Sequence, residues 1–359
     1  MRDPHPLDHV VLPVVNIEMA RERLGKLGFT VAADARHPFG TENACVFFAD
    51  KTYLEPLGVA SLETYEAAIG DGNVFTARDR AFRFRCGDDG LSAIVFGTPD
   101  ADSDHARFTA DGMSGGEMLQ FARQMKMPDG SEATAAFRLA FAADLRAPDF
   151  FLFACQRVNP LPSDRKALET HANGVLGILS IVLSSSDPRA FAPLLQLASD
   201  AQATREEAFG VSLDAGNARI NILSPDGLNA YYDLSEPKAD RGLRGAAIVF
   251  SVADLAVTEA HLAANGITGK LSLKSNEIHY DITNRDGSPA AVDDIVANFK
   301  RPVGDHEDFH VALTKLSEGR FEANHVVATG DWIVEVTSRR SGEIVMHEAV
   351  RIDTAEFGQ

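Results

Sequence analysis

Cysteine is scarce in this chain: Cys45, Cys86 and Cys155 are the only three among 359 residues. They are odd in number, widely spaced and form no metal-ligand pattern. That excludes a disulfide framework and a cysteine-rich zinc module, and it points to a reducing compartment. Basic residues are also in deficit. Thirty-four Lys and Arg stand against 52 Asp and Glu, a formal charge of −18, so nucleic acid and anionic membrane surfaces are expected to be repelled. Long apolar runs are missing too. The most hydrophobic stretch, GVLGILSIVL at 174–183, is about half a membrane span. The opening MRDPHPLDHVVLPV has no apolar core followed by a cleavage site, so the expected location is cytoplasmic, without a secretory leader. What is present is ordinary for a globular protein: 45% apolar and 24% charged residues, in a length that allows two or three domains.

The pattern within that length is a repeat. Four stretches share one grammar: an apolar strand, a polar break, an amphipathic helix and usually a Gly followed by an apolar residue. They are LDHVVLPV with NIEMARERLGKL, LSAIVFGT with PDADSDHARFTAD, LGILSIVL with SSSDPRAFAPLLQLA, and AAIVFSV with ADLAVTEAHLAAN. Each helix opens on Asn, Asp or Ser at an N-cap position. Ile17, Ala20, Leu24 and Leu27 form one stripe at helical spacing. Gly28, Gly112 and Gly266 stand where helices end in a left-handed residue. Strand-like runs follow each helix, broken by Ala49-Asp50-Lys51, Pro128-Asp129-Gly130, Pro225-Asp226-Gly227 and Arg285-Asp286-Gly287.

The unit is therefore β-α-β-β-β, and the expected fold class is α+β. Four modules pair into two curved mixed-sheet domains, 1–160 and 172–300. A linker over 159–170 joins them, and a small β-rich tail domain, 305–359, follows. Each curved pair presents a concave cleft.

LDHVVLPV followed by HPFGTENACVFFADKTYLEPLG, with DFFLFACQR and HANGVLGILSIVL farther on, resembles the glyoxalase-like branch of the vicinal oxygen chelate superfamily. That superfamily includes glyoxalases, bleomycin resistance proteins and extradiol dioxygenases. The resemblance implies a cleft holding a divalent metal (Zn, Fe, Mn, Ni or Mg) that chelates two neighbouring oxygens of a small molecule. Lyase, isomerase or dioxygenase chemistry would follow from its Lewis acidity; resistance-type members bind small molecules without a metal. Carried over residue by residue, His9 in the first strand and Glu55 in the fourth take the ligand positions. His37 becomes an acid–base group, and Thr41, Asn43, Gln156, His171 and Asn173 become ligand-binding residues.

The residues themselves leave alternatives open. Both parities of the His9 strand are apolar, so its face is not readable. A buried Glu55 needs a metal, a cation or a polar cleft, whereas at a strand end beside Pro56 it needs none. RHPFGTEN reads equally as a turn capping its own backbone, and THANGV as a plain loop. The second module departs from the pattern, since Ala93 stands where His9 has its counterpart and only Gln156 or Cys155 could replace the last ligand. LGILSIVL and AAIVFSV carry no histidine or carboxylate, so the second domain reads as a degenerate partner of the first.

HEDFH, His306 to His310, matches the H-E-x-x-H pattern of zinc proteases. That pattern requires a long helix and a third ligand. HEDFHVALTKL could form a short helix, but three strands separated by hairpin signals follow it, and Leu313 and Leu316 occupy the extended-motif positions. The expected reading is an exposed segment leading into a β-meander. There the single tryptophan, Trp332, should anchor the packing. The meander is faintly similar to the β-domain of FixH-type proteins, and such an appendage is compatible with a homodimer.

Overall fold

The computed structural model describes residues 3–126, 132–159, 165–234, 242–274, 277–302 and 306–354; the Pro128-Asp129-Gly130 turn and part of the expected linker lie outside them. The chain is α+β, built on three sheets. The first has Leu7–Pro13 at its centre, parallel to Tyr53–Val59 and antiparallel to Ala93–Gly97, which runs parallel to Phe151–Arg157. The opening strands of modules one and two thus lie side by side, and each pairs outward with the last strand of its own module. Between them run the helices Ile17–Lys26 and Ala101–Ala110. Asn16 caps the first, accepting from the amides of Glu18 and Met19, and Asp100 caps the second through Ser103. Gly28 and Gly112 are left-handed as expected; Gly266, at φ −74°, is not.

The second sheet repeats this pairing around Val175–Ser184, parallel to Arg219–Leu223 and antiparallel to Arg244–Val252. One continuous core of Leu7, Val10, Ile94, Phe96, Phe108, Leu152, Ile181, Leu194 and Ile220 lies between these two sheets and their helices. Leu7–Pro13 and Ala93–Gly97 are buried on both faces, which explains why they read as unbroken apolar runs rather than alternating ones.

The boundary expected near residue 300 differs from the strand pairing. Ile267–Lys274, Glu277–Asn284 and Asp294–Lys300, expected to close the fourth module, pair instead with the strands of the tail in one seven-stranded sheet. Asp294–Lys300 sits between Phe309–Ser317 and Asp331–Arg340, hydrogen-bonded to both. Trp332 anchors this core, edge-on to Phe299 and Phe309, and its indole N–H donates to the Ala328 carbonyl at 2.8 Å. The third sheet is tied to the first domain by ion pairs of His347 with Asp89 and of Lys300 with Asp88. Among the described residues, no helix is long and apolar enough to cross a membrane.

Candidate functional site

The register of the first sheet brings His9 and Glu55 together. His9 lies opposite Tyr53 and Val11 opposite Glu55, so two adjacent parallel strands present both side chains on the same, concave face. His9 Nε2 is 3.2 Å from Glu55 Oε2. A register shift against Ala93–Gly97 between Leu7 and His9 lets the neighbouring Asp8 reach the same ring, and its Oδ1 is 2.7 Å from His9 Nδ1. Asp8 also receives both terminal nitrogens of Arg157. The result is a chain of charges, Arg157–Asp8–His9–Glu55, with Asp8, His9 and Glu55 all buried.

Burial would push both carboxyls up and the imidazole down, but the partners outweigh it. His9 and Arg157 hold Asp8 well below the usual carboxylate range. His9 and Asn43 bring Glu55 down to about 2. The two carboxylates raise His9, favouring an imidazolium that donates from both ring nitrogens. Tyr53 stacks on it at 4.3 Å.

His37 is brought in by the turn that follows it. Gly40 has φ +88°, and a Cβ there would stand 2.4 Å from the Tyr65 amide nitrogen, so only glycine makes this turn. The turn folds Thr41 back, with Oγ1 2.9 Å from His37 Nδ1. Asn43 settles the tautomer. Its amide nitrogen donates to Glu55 Oε1 at 2.5 Å, and its oxygen faces Arg123 Nη1 at 3.5 Å. The same amide nitrogen lies 3.5 Å from His37 Nε2. A donor facing Nε2 leaves that nitrogen as a lone pair and puts the proton on Nδ1, donated to Thr41. Burial pushes the His37 pKa down to about 4, the Glu55 carboxylate opposing and Arg123 and His9 assisting.

His9, His37, Asn43, Tyr53 and Glu55 line a cavity of about 80 Å³ with Phe39, Phe75, Phe121, Phe137 and Phe153. Arg123, Arg157 and Arg165 also reach it. Against Asp8 and Glu55 the three guanidiniums leave one net positive charge (3 − 2), and a protonated His9 adds another, in a chain whose total is −18.

The other expected site residues are elsewhere. Gln156 has the opposite parity to Cys155 and Arg157; its amide donates to the Pro99 carbonyl and accepts from Ala101, fixing a helix start. His171 accepts from the Thr30 amide at 2.9 Å and lies 3.0 Å from the Phe47 carbonyl, and Asn173 binds the Leu27 carbonyl and the Val175 amide. Both hold backbone rather than line the cavity, because a buried loop must find partners for its own polar groups. HEDFH is not helical. His306 and Glu307 occupy an exposed turn where Glu307 pairs with Arg301, and His310 points outward from the strand Phe309–Ser317. Phe309, Val311 and Leu313 alternate inward there, so a strand period wins over a helical one.

The donor set does not fit a divalent metal. His9 and Glu55 are engaged with each other and with Asp8 and Asn43, and no group of three His, Cys, Asp or Glu among the described residues could hold an ion. Sequence reasoning missed Asp8, Arg157 and Arg123. Only Asp8, adjacent to His9, carried a local signal.

A pH test follows from His37. The unfolded chain takes up a proton near the ordinary value of 6.5, and the folded chain only near 4. Stability should therefore fall as pH drops through that window, by about 2 to 3 kcal/mol at pH 4.5 relative to pH 7. His9 acts with the opposite sign: its contribution is full below 6.5 and lost as pH rises through its raised folded value. Urea unfolding of His37→Asn beside wild type isolates the first effect, and the variant should lose most of the acid-side slope. An unchanged slope would mean that His37 is protonated in the folded state.

A family model described as a glyoxalase-like domain matches residues 7–199, and one described as FixH matches 254–351, a span that takes in most of the third sheet. The nitrogen fixation protein FixH of Rhizobium meliloti (strain 1021) is 34% identical over 89 residues, 24% of this chain and 53% of that protein. The chain therefore spans about half the length of that curated relative. Among solved structures, a hypothetical protein from Staphylococcus aureus is similar at 15% identity, covering 61% of this chain and 86% of its own, with a TM-score of 0.48. The Mn(II)-bound glyoxalase from Novosphingobium aromaticivorans is similar at 12% identity over 80% and 81% of the two chains, with a TM-score of 0.39. A catechol 2,3-dioxygenase is similar at 11% over 80% and 86%, with a TM-score of 0.40.

Proposed function

This chain belongs to the glyoxalase-like domain family, and from that premise we propose that its N-terminal cleft takes up a compact, oxygen-bearing small molecule without a metal and moves a proton on it through His37. One observation carries the reading. His9 and Glu55, at the implied metal positions, are engaged with each other and with Asp8 and Asn43, while His37 keeps an unprotonated Nε2 beside the cavity.

His37 is unprotonated above its own value, here about 4, so at neutral pH its lone pair is available to accept a proton. A proton arriving on Nε2 is stabilised by Glu55, whose Oε1 is 3.9 Å away. Arg123 shares the cavity wall with it, and such a preset donor stabilises an oxyanion that develops beside the base. The same nitrogen can return the proton, so the step needs no co-reactant. Isomerase-type chemistry fits this arrangement best.

Two measurements test the reading. Protein purified without chelator should contain only substoichiometric metal; about one equivalent, lost in His9→Ala, would overturn the metal-free assignment. In protein labelled with ¹⁵N-histidine, small-molecule fragments that bind should move the ring signals of His37 and His9 and leave His171 unmoved. Fragments that bind without moving either signal would remove the cleft from consideration.

A further inference from the structure

Arg123 and Arg165, both on the wall of the cleft, form no ion pair among the described residues, and of the two only Arg123 has a buried nitrogen without a partner. Arg123 projects from the strand Leu119–Lys126 into the cavity and forms no ion pair among the described residues, unlike Arg157, which is held by both oxygens of Asp8. Its Nε is buried without a hydrogen-bond partner. Among the described residues its one contact to a polar group is from Nη1, at the long distance of 3.5 Å to Asn43 Oδ1. Nη2 makes no hydrogen bond among the described residues either, so the edge formed by Nε and Nη2 is open, with its Nε end buried. That edge takes a carboxylate side-on through two parallel N–H···O bonds, and leaving a buried charged donor unmade is costly. Glu55, the carboxylate that lines the cavity, is already taken by His9 and Asn43.

The surroundings of Arg123 restrict what could complete it. Its guanidinium lies over the Phe137 ring at 5.8 Å, and Phe137 stacks on Phe121 at 5.1 Å with the planes inclined by 22°. Phe39, Phe75 and Phe153 complete a flat-sided apolar chamber. Its volume, about 80 Å³, is below the roughly 150 Å³ of a cavity that holds benzene. The enclosed space therefore takes only part of a single ring, with the rest at the mouth. The net positive charge of the site selects an anion from solution although the protein as a whole repels one.

We propose that the ligand of this cleft is a planar monocarboxylate of at most one ring, anchored by its carboxylate on the Nε–Nη2 edge of Arg123 and packed between the phenylalanines, with its remaining end toward His37. This rests on the reading that the cleft is the ligand site, and it adds the chemical class of the ligand and the residue that selects it. Arg123 is a binding residue in this scheme, while His37 is the base.

Benzoate and its neutral isostere benzamide are suitable probes, compared by calorimetric titration of the full-length protein at pH 7, with histidine-ring NMR signals reporting where each binds. Benzoate should bind at least about tenfold more tightly than benzamide, as expected for loss of a charge-assisted bidentate pair. Arg123→Ala should lose that advantage without weakening benzamide. Arg123→Lys, which keeps the charge but not the fork, should retain only part of it. Equal affinities for the two probes in wild type, or undiminished benzoate binding in a folded Arg123→Ala protein, would overturn the carboxylate assignment while leaving the cleft as a ligand site. Binding of neither probe at the cleft would overturn both.

Discussion

Asp8→Ala is expected to destabilise the protein by about 3 to 5 kcal/mol, the usual cost of removing one member of a buried ion-paired network. Asp8 accepts from Arg157 on both oxygens and faces His9 Nδ1 at 2.7 Å. Its removal leaves the His9 ring nitrogen with no acceptor in a buried position and removes one of the two carboxylates that raise the His9 pKa. Arg157 suffers less, because its side chain is 37% exposed and can turn toward water. His9 therefore carries most of the loss, and its remaining charge depends on Glu55 alone. Asp8→Asn, which keeps an acceptor for one partner, should cost clearly less. Urea unfolding monitored by far-UV circular dichroism gives both numbers. A loss below about 1 kcal/mol for Asp8→Ala would mean that solvent replaces the carboxylate, as at an exposed pair.

A chain ending at Pro302 is expected not to yield soluble folded protein, although the repeat pattern places a domain end there. Asp294–Lys300 would keep its sequence and lose both of its neighbours. Phe299, Ile295 and Ala297 would be parted from Trp332, Val334 and Val336, with which they form one buried cluster. Each large side chain contributes about 1.5 to 3 kcal/mol when buried, so losing several of them exceeds what a small sheet has to spare. The stranded edges would also present unpaired backbone to other chains. A chain ending at Asp254 avoids this, since the first two sheets and their common core are complete by then. Expression and size-exclusion of the two truncations separate the cases: 1–254 soluble and monodisperse, 1–302 aggregated. Well-behaved 1–302 protein would show that the third sheet can close without its tail strands.

Read alone, the sequence settled what depends on neighbours along the chain. The stripe of Ile17, Ala20 and Leu24 behind the Asn16 cap, the apolar strands that open each module and the turn glycines Gly28 and Gly112 are local patterns, and each produced the element it encodes. The family resemblance picked out His9, Glu55, His37, Thr41 and Asn43, and the fold brings those five together. Three matters were decided only by the tertiary structure, for one reason: strand pairing joins residues far apart in the chain, and a strand buried on both faces has no alternation to betray its orientation. The face of His9 was set by its register against Tyr53 and Val95. Arg123 and Arg157 entered the site from strands more than a hundred residues away from His9 in sequence. The strands after residue 267 joined the tail rather than Arg244–Val252, because the facing apolar surface of Phe299, Trp332 and Phe309 was available there, a choice that no local pattern within those strands records.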